Sequence, residues 1–338
     1  MHPFPMSRHH FRLAKRHAVA AALLSLLLGS FPLAGGGTPP LTPADSITVS
    51  GSSGKFDFLA IDPARRRLLA AHEKDGTADF FDLDSKVLLS RVATGPAVGI
   101  AVDPKSGNYF VSVQDDKRVA VVDAVSLKEI ASISTEGETD AIIFDESDRR
   151  VYVTNDNGRF VWAIDPDALK VTATVPIPGA PECMAHDPSM GRIYLNIKST
   201  SQIAVIDAKA NAVIALWPTA PATAPHGLAF DAARGWIFSS GDNGKLVAVD
   251  SKTGKVVGET DIVKKVDQIA FDESSHRIYC AGTDWMSVAE ETADGLRSLG
   301  EISTAASAKN VAVDPKTHSV WTTYTDGKNA YARSWTNP

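Results

Sequence analysis

Cysteine is scarce in this 338-residue chain, with two in all, and positive charge is in the minority, 34 Lys and Arg facing 40 Asp and Glu. So few cysteines exclude a small disulfide framework, in which several bridges stand in for a core. The acidic balance gives non-specific nucleic-acid binding little electrostatic help, and Arg65-Arg66-Arg67 and Lys264-Lys265 are the only dense basic runs. Motifs that announce chemistry are missing too. The chain has no G-x-S-x-G, no H-E-x-x-H, no phosphate-binding glycine loop, no C-x-x-C and no haem-attachment motif.

Long apolar runs are missing except near the N-terminus, where Ala18 to Leu28 follows Arg8, Arg12, Lys15 and Arg16 with no acidic residue, and small residues stand at Ala34 to Gly37. Residues 1–36 therefore read as a secretory signal peptide whose apolar core is too short to span a membrane. Its removal takes the 34 basic residues to 30 against 40 acidic, a net charge of −10. Residues 37–46 follow as a Pro-rich leader of extended character.

What the rest of the chain has is a repeat. Short apolar runs closed by an aspartate recur at Asp62, Asp103, Asp145, Asp187, Asp231, Asp272 and Asp314, in steps of 41, 42, 42, 44, 41 and 42 residues. Seven places after each marker stands an apolar or aromatic residue: Leu69, Phe110, Tyr152, Tyr194, Phe238, Tyr279 and Trp321. A second acid follows at Asp82, Asp123, Asp165, Asp207 and Asp250, and lapses in the last two units. Between the two marks lie hairpin pairs such as Asn157-Gly158 and Asn243-Gly244. Branched and aromatic strands at this period, of the WD40-like kind, predict an all-β, seven-bladed propeller over residues 47–338 with four antiparallel strands per blade. The last unit has three strands before the chain ends, so Ile47 to Gly51 is expected to complete it and close the ring.

Within each first strand the residues before the marker are apolar on both faces, as in Leu59-Ala60-Ile61, which suits a strand packed between neighbouring blades. His186 stands where other units have Ile, Val or Phe, and reads as a hydrogen-bonded core histidine. Cys183 and Cys280 fall in the fourth and sixth units, which are not neighbours, whereas a disulfide needs Cα atoms within about 7 Å. Both read as small buried residues. In the sixth unit Trp285 to Glu291 is an irregular candidate for a third strand.

Tyr152-Val153-Thr154-Asn155, Arg192-Ile193-Tyr194-Leu195-Asn196, Ala204-Val205-Ile206-Asp207 and the linkers Pro181-Glu182 and Pro225-His226-Gly227 resemble the YVTN-repeat, YncE-like β-propellers. The resemblance implies a periplasmic or secreted seven-bladed propeller, and it implies little chemistry because such folds host many functions.

Five residues before the markers stand Asp57, Val98, Asp140, Glu182, His226, Asp267 and Lys309, where the chain drops into the innermost strand. These are expected to ring one mouth of the central tunnel, with His72, Asn155 and Tyr324, ten after the marker, farther from the axis. Propellers gather one residue per blade at such a mouth without any sequence motif. Asp140, Glu182, His226 and Asp267 come from consecutive units, and oxygen donors with one imidazole suit a divalent ion such as Ca²⁺, Mn²⁺ or Zn²⁺, or the ammonium group of a ligand. The expected function is a non-enzymatic binding or scaffold protein holding a small ligand, a cation or a partner protein of the cell envelope. The alternative is a metal-dependent hydrolase resembling the propeller lactonases.

Overall fold

Every unit of the repeat folds into one four-stranded antiparallel sheet, and seven such sheets make the ring. The computed structural model describes residues 39–338, so the expected signal peptide lies outside the described residues. The third blade shows the pattern, with strands Thr139–Asp145, Arg150–Asn155, Phe160–Asp165 and Lys170–Pro176 in sequence order from the axis outward. The first three strands are rich in buried branched and aromatic side chains. The outermost alternates exposed and half-buried residues, because only one of its faces meets a neighbouring blade.

Pairing across the two inner strands explains the residue seven places after each marker. Ala60 faces Leu69, Ala101 faces Phe110, Ala229 faces Phe238, Ala270 faces Tyr279 and Ala312 faces Trp321. Blades crowd towards the axis and splay outward, so a methyl fits on the innermost strand while the next strand has room for a large ring. All seven of those larger residues are fully buried.

The marker aspartates hold the lower turns. Each accepts a backbone N–H from the turn that follows it, as Asp103 does from Lys105 at 2.9 Å and Asp314 from Lys316 at 3.0 Å. Four also tie one blade to the next. Tyr109 donates to Asp62, Arg149 to Asp103, Arg66 to Asp314 through both guanidinium nitrogens, and His318 Nδ1 lies 3.0 Å from Asp272. The second acids, such as Asp82 and Asp250, accept N–H groups at the turn between third and fourth strands.

Closure differs from expectation in extent. The N-terminal strand is Thr42–Val49, pairing antiparallel with Ala330–Thr336 from Thr42 opposite Thr336 to Val49 opposite Ala330. Half of the expected leader is thus strand. Pro43, which has no N–H to give, is accommodated by a register shift between Pro43 and Ser46, and buried Leu41 packs with Trp335 and Val320. Ser50 and Gly51 leave the strand as a turn, Gly51 at φ 71°.

In the sixth blade the outer hairpin forms, with strands Trp285–Thr292 and Gly295–Ser303 paired from end to end apart from a register shift between Val288 and Ala289. In the seventh the innermost strand is only Ala312–Val313. Gln268 of the sixth blade makes up the deficit: its Oε1 accepts from the backbone of Leu59 at 3.0 Å and Val311 at 3.2 Å, and its Nε2 donates to Leu59 O at 2.8 Å. Cys183 and Cys280 are free and buried.

The candidate site at the tunnel mouth

Where each chain segment enters its innermost strand, the pairing slips. The register shifts between Thr139 and Ile142, Pro181 and Met184, Pro225 and Leu228, and Val266 and Gln268, and between Ala97 and Gly99 in the second blade. Such bulges re-aim side chains. The bulge residues Asp140, Glu182, His226 and Asp267 are partly exposed at the mouth, whereas Val98 is buried. In the second and fifth blades the residue after the bulge position is glycine, and a larger one would clash. A Cβ on Gly99 would lie 2.9 Å from Ile142 Cγ2, and one on Gly227 would lie 2.8 Å from Ile269 Cγ2.

Four of the expected residues form one continuous line of alternating charge. Lys198 Nζ lies 3.2 Å from Glu182 Oε1, His226 Nδ1 lies 3.2 Å from Glu182 Oε2 and 3.5 Å from Asp267 Oδ1, and Lys309 Nζ pairs with Asp267 Oδ2. Burial alone would lower the His226 pKa, but its bonds to Asp267 and Glu182 outweigh this and push it up to about 9. Asp267 feels burial in the opposite sense, and His226 and Lys309 bring it down to about 2.

Across the mouth the balance is reversed. Burial, then the charge of Asp267, pushes Asp57 up to about 7 despite Lys309 and Lys55 nearby. Asp140 is raised well above the usual carboxylate range by burial and by Asp57, Glu182, Asp156 and Asp267, with no cation among the leading causes. Among the described residues no hydrogen-bonding or ion-pairing partner meets either carboxylate. The mouth thus divides into a neutralised sector on blades four to seven and an acidic sector on blades one to three.

Sequence reasoning missed a second ring. Eleven places after each marker stand Glu73, Gln114, Asp156, Lys198, Asp242, Thr283 and Thr325, polar in every blade. Several meet the first ring or one another: Lys198 as above, Asp242 Oδ1 at 3.6 Å from His226 Nε2, and Gln114 Nε2 donating to Asp156 at 2.8 Å. The positions one residue earlier, which include His72, Asn155 and Tyr324, point into the blades instead. The signal was available, since that earlier position also holds Val113 and Ile197, which a water-filled mouth would not favour.

His72 is fully buried, stacked on Phe56 at 3.7 Å between ring centroids, with Nδ1 2.7 Å from Asp79 and Nε2 2.9 Å from Gly54 O. Ser52 Oγ lies 3.3 Å from the same Nε2, which gives the connectivity of a catalytic triad. Ser52 is itself buried and donates to Asp75 at 2.5 Å, so its hydroxyl is committed and the cluster is a brace. Asn155 donates to Glu138 O, and Tyr324 stacks on Tyr331.

Below the mouth the tunnel becomes apolar. A cavity of about 400 Å³ is lined by Leu59, Ile100, Ile142, Met184, Leu228 and Ile269, the equivalent residue of six blades. Phe58 of the first blade packs against the cluster containing Cys183 and Leu228 of the fourth and fifth, so it reaches across the lumen, and it lines the bore. His186 lines this bore, half-buried and without a hydrogen-bond partner among the described residues, in place of the bonded core position expected. Ile61, Val102 and Phe144, its equivalents in the first three blades, line the bore as well.

No family model matches the chain, and no curated protein matches it in sequence. A chain of hydrazine synthase from Kuenenia stuttgartiensis is similar in structure, with a TM-score of 0.73 over 86% of this chain and 97% of its own at 13% identity. Since 1771 chains of solved structures match, the likeness establishes a β-propeller fold and carries no chemistry. Among the described residues no helix is long and apolar enough to cross a membrane.

Proposed function

We propose that this chain is a YVTN-type, YncE-like propeller exported by an N-terminal signal to the periplasm or beyond, and that it works there as a non-enzymatic binding protein for a small organic cation. The observation that carries the reading is Asp140. It is a carboxylate at the tunnel mouth with acids around it and no base to meet it. A ligand ammonium in the sector of Asp57, Asp140 and Asp156 supplies the missing charge.

A divalent metal fits this donor set less well. Among the described residues no three His, Cys, Asp or Glu side chains are grouped to hold one ion. His226 stands between Glu182 and Asp267, its Nδ1 3.2 Å and 3.5 Å from their carboxylate oxygens, as an ion-pair partner to both. The lactonase alternative rests on such a metal and gains nothing from this arrangement.

The test is calorimetric titration of the mature protein with propylamine, in two buffers of different ionisation enthalpy. Binding is expected to release protons at pH 7, to tighten by up to about tenfold per pH unit for each proton released, and to be lost in Asp140→Asn while surviving in Glu182→Gln. No heat and no thermal shift with propylamine or methylamine would sink the reading.

A further inference from the structure

The acidic sector and the apolar bore share an axis and share strands. Asp57 is followed by Phe58 and Leu59, and Asp140 by Ala141 and Ile142, so the residue that faces the mouth is one step from residues that line the bore. The bore holds about 400 Å³, room for about a dozen water-sized groups at ~30 Å³ each. Its few polar side chains near the mouth are engaged: Gln268 is bonded to the backbone of Leu59 and Val311, and the Cys183 thiol faces Asp267 O at 3.8 Å. His186 and Glu146 line it farther from the mouth, and Phe58, the residue after Asp57, lines it at the mouth end.

We infer that the ligand is an amphiphile, an alkyl or arylalkyl amine whose ammonium group rests between blades one and three of the mouth while its apolar tail passes Phe58 into the bore. This rests on the cation reading above and adds the tail to it. The mouth selects for charge and the bore for length. A methylene moved from water into an apolar site gains ~0.8 kcal/mol, which is about fourfold in affinity.

The experiment is a chain-length series of propylamine, hexylamine and octylamine, each below its micellar concentration, with hexanol and hexanoate as controls. Affinity is expected to rise about threefold to fourfold per methylene, hexylamine is expected to bind well ahead of hexanol, and hexanoate is expected not to bind. Ile142→Trp, which fills the bore, is expected to flatten the series by weakening octylamine far more than propylamine. Phe58→Ala is expected to speed the association of octylamine more than that of propylamine. Amines that bind equally at every length overturn the tail in the bore and leave the cation reading intact. Hexanol binding as tightly as hexylamine overturns the cation reading and keeps an apolar site. The wild-type series decides between these outcomes even if Ile142→Trp does not fold.

Discussion

Asp140 and Asp267 are the same side chain at the same position of two blades, and their proton affinities move in opposite directions. The difference lies wholly in the neighbours. Asp267 has His226 and Lys309, while Asp140 has buried Val98 on one side and acids on the others. For Asp57 and Asp140 the folded pKa lies above the unfolded one, so their contribution to stability is present below about pH 4 and is lost as pH rises, for Asp57 through about 7. The raised His226 pKa works the same way, its contribution being lost as pH passes about 9. The depressed Asp267 contributes above about pH 4 and loses this only near pH 2. The ligand-free protein is therefore expected to unfold at a lower temperature at pH 8 than at pH 5. Asp140→Asn is expected to recover part of that loss at pH 8, and an unchanged difference between the two pH values would contradict it. At the opposite face Arg66→Met strands buried Asp314, and denaturant titration should show a loss of about 3 kcal/mol.

At the scale of the strand, the bulge matters more than the alternation. Period-two patterning made the blades legible, because Tyr152, Tyr194 and their equivalents repeat every 41 to 44 residues whatever surrounds them. The inner ring of the mouth was legible for the same reason, as a polar position just ahead of an apolar run. The outer ring was not read, because one residue decides whether a strand-end side chain enters the blade, as His72 does, or the lumen, as Asp156 does. Partners of individual charges were also out of reach. Whether Glu182 stands free or bonds Lys198 and His226 depends on segments far apart in sequence. The bulge itself yields a prediction: Gly227→Ala places a Cβ 2.9 Å from Ser240 Oγ on the adjacent strand and 3.0 Å from Ile269 N in the next blade. It should cost about 1–3 kcal/mol, and Gly191→Ala, in open space at the lower turn, should cost less despite its φ of 60°.

For the molecule as a whole, the seventh blade is the seam. Its innermost strand is two residues long, its outermost comes from the other end of the chain, and Gln268, Arg66 and His318 tie it to its neighbours. Deleting residues 39–49 is expected to lower the unfolding midpoint of the entire ring and to leave Ala330–Thr336 as an open edge that pairs between molecules, seen as association in ultracentrifugation. An unchanged midpoint would mean that the other ties suffice. Because Thr42 pairs with Thr336, the strand synthesised first waits longest for its partner, across a separation of 294 residues. Blades one to six have all their strands before that moment, but the circle does not. A chain delivered from its N-terminus therefore reaches its closed state only after Thr336 has emerged. A truncated product lacking Ala330–Thr336 carries Thr42–Val49 as a strand with no partner.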